Sequence, residues 1–183
     1  MIEQRTLGPV RLYMCAISTG APVRRQAERA AVARLLAAAF PDGYELDHTP
    51  EGAPVVPGAH ISISHSRTHA ALAVCADAPV GVDVETARGQ LARVAPRVLS
   101  SDELAAYGAD AQGLLRAWTL KEALYKAALT AGLDFRRDIH LPLGHKKNEA
   151  TVAAPGGVAK CFAVLASEVT QAGGLAVVVQ VSP

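Results

Sequence analysis

Gly81-Val82-Asp83-Val84-Glu85 and, further along the chain, Trp118-Thr119-Leu120-Lys121-Glu122-Ala123-Leu124-Tyr125-Lys126 bound the stretch on which the reading of this sequence turns. The first is a short apolar run that carries two acids. Side chains in a strand repeat every second residue, so Asp83 and Glu85 share one face while Val80, Val82 and Val84 form an apolar face opposite. The second is a helical run in which Glu122 and Lys126, four residues apart, share a face. If the fold brings the two ends together, three carboxylates and an ammonium meet at one place. That arrangement suits a hard cation and a phosphorylated ligand.

Each pattern also has a plainer reading. Asp83 and Glu85 would protect an exposed edge strand from aggregation. Glu122 and Lys126 would form a surface pair in the favourable order, worth about 0.2–0.5 kcal/mol. A glycosidase-type carboxylate pair does not fit, because same-face neighbours on one strand do not flank a sugar from opposite sides. The functional reading gains weight from the combination: Lys121, Glu122 and Lys126 lie downstream of a well-anchored strand that carries two acids.

Working outward, Val10 to Ile17 reads as a buried strand. After Thr19-Gly20-Ala21-Pro22, a helix is expected from Val23 to Phe40, stopped by Pro41-Asp42-Gly43. Its first turns carry Arg24, Arg25 and Arg29, which composition alone assigns to a solvated face. Tyr44 to Gly58 is Pro- and Gly-rich and reads as an irregular excursion. Ala59 to Ser64 alternates Ile61 and Ile63 against Ser62 and Ser64. With Ala70 to Ala76 and Val80 to Val84 it is expected to form an antiparallel meander. Downstream, a helix begins near Leu91, Ser100 or Ser101 caps another, and Leu114 to Ala131 is the strongest helical pattern, ended by Gly132. Strands are expected at Ala150 to Ala153, Cys161 to Ala166 and Leu175 to Val181. The class is α+β, and the second half repeats the order of elements of the first without a residue-level repeat.

The 18 Lys and Arg nearly balance the 17 Asp and Glu, so net charge points to neither nucleic acid nor a membrane surface. Cys15, Cys75 and Cys161 are widely spaced and odd in number, which reads as reduced core residues rather than a disulfide framework or zinc ribbon. No signal peptide or membrane span is recognisable, so a cytoplasmic protein is expected. His60, His65 and His69 cluster at a turn between strands and lack the helical spacing of a zinc pair. A histidine beside Ser64 and Ser66 is either a phosphate contact or a simple turn residue.

Taken together, G-V-D-V-E from Gly81 and W-T-L-K-E-A-L-Y-K from Trp118 resemble the paired signature of the 4'-phosphopantetheinyl transferase superfamily. Ser62-Ile63-Ser64-His65-Ser66 resembles the family's N-I-S-H-S element, with Ser62 in place of the asparagine. Arg29 resembles the arginine at the start of the first-half helix, and Glu103 the glutamate between the two signatures. The resemblance is closest to the single-chain, surfactin-synthetase-activating type. It departs where the family's G-K-P is here Gly52-Ala53-Pro54, and where G-x-G-L is Thr130-Ala131-Gly132-Leu133.

The resemblance implies a pseudodimer of two similar α+β halves, 1–79 gripping coenzyme A and 80–183 supplying metal and catalysis. It implies transfer of 4'-phosphopantetheine from coenzyme A to a serine of an apo acyl or peptidyl carrier protein, with Mg²⁺ or Mn²⁺ held by Asp83, Glu85 and Glu122. Glu122 is the implied base, with Glu103 as its rival. Lys126 and Lys121 are the implied cations for the leaving group, and Arg29, His65 and Ser64 the implied contacts to coenzyme A, with Asp83 beside it. A monomer suffices for such a site. The competing classes are a non-catalytic module binding coenzyme A or a carrier protein, and an unrelated Mg²⁺-dependent phosphohydrolase.

Overall fold

The computed structural model describes residues 1–18, 23–87, 89–144 and 148–181. The expected Thr19-Gly20-Ala21-Pro22 connection lies outside them. In chain order the elements are β1 (Ile2–Leu7), β2 (Val10–Ala16), α1 (Arg24–Ala39), β3 (Asp47–His48), β4 (Pro54–Val55), β5 (His60–His65), β6 (His69–Cys75) and β7 (Val80–Thr86). They continue with α2 (Leu91–Val98), α3 (Ser101–Tyr107), α4 (Ala111–Ala128), β8 (Ile139–His140), β9 (Glu149–Val152), β10 (Lys160–Val169) and β11 (Gly173–Val181). None of the described helices is long and apolar enough to cross a membrane.

Two antiparallel sheets form the centre, one ordered β1-β2-β6-β5 and the other β7-β11-β10-β9-β8. Strand alternation gives each sheet two apolar faces. On the first sheet, Tyr13, Cys15, Leu72 and Val74 pack against Ala31, Leu35 and Leu36 of α1. Its other face, with Leu12, Ala71 and Ala73, meets Val82, Val84, Val177 and Val179 of the second sheet. The far face of the second sheet, with Phe162, Ala176 and Val178, is covered by Leu120, Ala123, Leu124 and Ala127 of α4. The result is a four-layer α+β stack, helix on sheet on sheet on helix. Both sheets share one connectivity. β2 leads through α1 to the β5–β6 hairpin, whose second strand pairs back with β2. β7 leads through α4 to the β10–β11 hairpin, whose second strand pairs back with β7.

The expected meander is corrected here. β5 and β6 do form a hairpin, but β7 leaves them and pairs with β11 in the other sheet. Its apolar face needs both sheets, because Val80, Val82 and Val84 are buried against the first sheet while their backbone joins the second. β7 is an edge strand by pairing order but not an exposed one. Ser62 Oγ accepts the Val82 N–H at 3.1 Å, and Ser64 Oγ accepts the Val84 N–H at 3.2 Å. Hydroxyls of β5 thus satisfy edge donors that have no strand partner, as buried amides require.

Other differences are local. β1 escaped the sequence reading because Glu3, Gln4 and Arg5 hide its period; the signal was the tight Gly8-Pro9 turn, with Gly8 at φ 57°, that returns it onto β2. The irregular excursion from Tyr44 contains the short β3–β4 ribbon. Helix α4 ends at Leu129 in left-handed conformation (φ 48°, ψ 41°), before Gly132. Cys15 and Cys75 are buried, Cys161 is half-buried, and none of the three is in a disulfide.

Candidate active site

Helix α4 lies directly on β7, and glycine makes this possible. An added Cβ at Gly81 would stand 1.9 Å from the Ala123 carbonyl oxygen. The other residues of that strand face, Asp83 and Glu85, consequently sit under the same helix. The Asp110 side chain caps α4 by accepting the Gly113 N–H at 2.7 Å. From that start, the helical period brings Glu122 and Lys126 over β7.

Lys126 Nζ lies 2.8 Å from Asp83 Oδ1 and donates also to the Val82 carbonyl at 3.1 Å. Ser64 Oγ donates to the same Asp83 oxygen at 2.8 Å. Asp83 is only 6% exposed, and an ammonium and a hydroxyl both address its buried oxygen. Burial raises the proton affinity of Glu122; the negative charges of Asp83 and Glu85 raise it further, and Lys126 opposes them. Glu85 Oε1 accepts the Thr86 N–H at 2.8 Å. The two ends of the Gly81–Lys126 stretch therefore meet: Ser64, Asp83, Glu85, Glu122 and Lys126 converge at the seam between the sheets.

Two clefts flank this cluster. One, of about 480 Å³, is lined by Ala53, Pro54, Ile61, Ile63, Tyr125 and Lys126 together with Leu129 and Thr130. The other, of about 580 Å³, is bordered by Arg24, Arg67, Glu85 and Thr86. The first is mainly hydrophobic, with Lys126 and Glu51 as the charged residues of its lining; the second has two guanidinium groups and the Glu85 carboxylate.

The remaining residues singled out from sequence fall elsewhere. His65 is half-exposed, its Nδ1 3.8 Å from Glu28 Oε1, and Arg24 holds Glu28 below the usual carboxylate range through a 2.7 Å bond. Arg24 is thus a cation beside the site that the sequence reading left in a solvated face. Arg29 is exposed on α1, and no described contact ties it to His65. His69 Nδ1 lies 2.9 Å from Thr68 Oγ1.

Glu103 and Lys121 are joined to each other rather than to the seam. Ser100 caps α3 and forms a reciprocal capping box with Glu103. Glu103 also accepts the Leu141 N–H at 2.8 Å and the Lys121 ammonium at 2.8 Å. Lys121 donates further to the carbonyls of Phe135 and Ile139. Lys121 is fully buried and Glu103 2% exposed. Burial pushes the Lys121 ammonium down in pKa while Glu103 pulls it back. The pair ties α4 to α3 and to the segment from Phe135 to Leu141.

The fold and the seam define an α+β protein with a carboxylate-and-lysine cluster where β7 meets β5 and α4, flanked by an apolar cleft and a cationic one. Residues 79–168, from just before β7 nearly to the end of β10, match the family model of the 4'-phosphopantetheinyl transferase superfamily. No curated protein matches the chain.

Proposed function

We propose that this protein transfers 4'-phosphopantetheine from coenzyme A to a serine of an apo acyl or peptidyl carrier protein. The observation that carries the reading is the 2.8 Å contact of Lys126 with Asp83, made where the negative charges of Asp83 and Glu85 bear on Glu122, inside the segment matching the superfamily. The repeated strand–helix–hairpin connectivity supports a pseudodimer with halves 1–79 and 80–183, the surfactin-synthetase-activating arrangement, which needs no second chain to complete the seam.

No group of three or more such side chains stands ready to hold a metal ion among the described residues, but Asp83, Glu85 and Glu122 suit a divalent cation by donor chemistry: they are hard oxygen donors, and the charges of Asp83 and Glu85 raise the proton affinity of Glu122, a repulsion that a dication would relieve. Mg²⁺, or Mn²⁺ in its place, would neutralise pyrophosphate charge when bound there. The protein's own groups do the rest. The apolar cleft beside Lys126 receives the organic part of coenzyme A. Arg29 and His65 address the 3'-phosphate through charge-assisted hydrogen bonds, and Arg24, which shares Glu28 with His65, adds a further cation.

The carrier serine gives its hydroxyl proton to the carboxylate of Glu122, which acts as general base. Serine oxygen then bonds to the phosphorus that bears pantetheine. The bond from that phosphorus to the bridging oxygen breaks, and adenosine 3',5'-bisphosphate leaves with the electron pair. Lys126 stabilises the charge that grows on the leaving phosphate. Ser64 holds Asp83 in register for both partners. Glu103 and Lys121 serve by fixing α4, and hence Glu122, rather than by touching the phosphates.

The test incubates the full chain with coenzyme A, Mg²⁺ and an apo carrier and weighs the carrier by mass spectrometry. A phosphopantetheine adduct that Glu122→Gln abolishes is expected. Free bisphosphate without an adduct would replace this reading with a phosphohydrolase, and coenzyme A binding without either product would replace it with a binding module.

A further inference from the structure

Lys160, at the start of β10, lies outside every motif of the sequence reading and does not line the carboxylate seam. Its Nζ donates to the Ala128 carbonyl at 2.6 Å and lies 3.2 Å from Thr130 Oγ1. Thr130 Oγ1 in turn donates to the same carbonyl at 2.9 Å. Between these partners stands Leu129, the one described non-glycine residue with positive φ. A left-handed leucine costs about 1–2 kcal/mol and persists only where its surroundings over-determine it. The Lys160 cation and the Thr130 hydroxyl both address the last carbonyl of α4, and the cation combines a charge-assisted hydrogen bond with the favourable sign at a helix C-terminus.

The strained turn has a use. Leu129 is 57% exposed, yet it and Thr130 form the wall of the apolar cleft that faces Ile61 and Ile63. The left-handed turn, in place of a further helical residue, sets where these two side chains stand in that wall. Lys126 sits three residues earlier, in the last turn of the same helix, but is held independently by Asp83 and Val82.

We infer that Lys160 is a positioning residue that shapes the coenzyme A cleft: by holding the left-handed turn at Leu129 from the neighbouring strand, it sets coenzyme A affinity without touching the reacting atoms. The inference rests on the transferase reading, and it predicts a division of effects. Lys160→Met loses the charge-assisted bond and raises the KM for coenzyme A about tenfold, in line with the loss of one such bond. The kcat at saturating coenzyme A and the KM for the apo carrier stay at wild-type values, because Lys126, Asp83 and Glu122 are held by other contacts. Lys160→Arg, which keeps the charge and donors, restores most of the affinity. Calorimetric titration of each full-length variant with coenzyme A gives the same ordering without turnover, and Lys160→Gln replaces Lys160→Met if the latter does not fold.

Wild-type coenzyme A affinity in Lys160→Met would overturn the inference while leaving the transferase reading in place. So would a loss of kcat equal to the rise in KM, or equal losses for coenzyme A and carrier, since either would mean general disruption of the fold. A wild-type protein that does not bind coenzyme A would overturn the transferase reading and this inference together.

Discussion

Gly81→Ala is the sharpest probe of how the seam is built. The new Cβ would lie 1.9 Å from the Ala123 oxygen, 2.8 Å from its carbon and 3.0 Å from the Ala127 Cβ. The obstacle is helix backbone, so no side-chain rotation relieves it. A carbon–oxygen contact settles near 3.3 Å, so α4 must withdraw by about 1.4 Å. Forcing a methyl into such a contact costs about 1–3 kcal/mol, more than the slight gain from replacing glycine in a strand returns. For a domain of this size that lowers the melting temperature by roughly 2–12 °C. The same withdrawal lifts Glu122 and Lys126 off Asp83, and misplacement on the order of 1 Å reduces rate about 100-fold. Differential scanning calorimetry and the carrier mass assay read the two effects. Gly157→Ala serves as the control, because its added Cβ meets no atom closer than 3.4 Å. Unchanged melting together with wild-type transfer in Gly81→Ala would refute the reasoning.

Two further outcomes follow from the buried charges. Lys121→Met strands Glu103 in the interior and should cost about 3–5 kcal/mol of stability. Measured where the variant is still folded, its transfer rate should fall less than that of Lys126→Met; the reverse order would return Lys121 to the phosphates. Asp138 is held down to about 2 by Arg137 at 2.7 Å and by the Asp134 N–H at 2.8 Å. Its folded value is below the unfolded one of 3.8, so its stabilising contribution is present above that value and is lost as pH falls towards 2. The melting temperature of Asp138→Asn should accordingly lie below wild type at neutral pH and converge with it between about pH 4 and pH 2. A constant gap across that range would contradict the assignment.

The elements that carry long periodic patterns were legible in the sequence, and so were the faces they bury. The α4 pattern placed Glu122 and Lys126 together, and strict alternation placed Asp83 and Glu85 opposite three valines, because side-chain direction follows from local backbone geometry alone. The two-residue strands β3, β4 and β8 and the edge strand β1 were not legible, since short or charged strands leave too little period to detect.

The sequence by itself therefore determined which residues share a face: Asp83 with Glu85, Glu122 with Lys126, and Ser62 with Ser64. Tertiary structure alone decided which faces meet. It moved β7 out of the β5–β6 hairpin and into the second sheet, where Ser62 and Ser64 satisfy its edge amides and α4 covers its acids. It also turned Glu103 and Lys121, charged residues inside or near the recognised signatures, towards each other in the interior. It set Lys160 of β10 on the end of α4. Such pairings join residues far apart in sequence, and their partners are fixed by the packing of whole layers, which local periodicity does not encode.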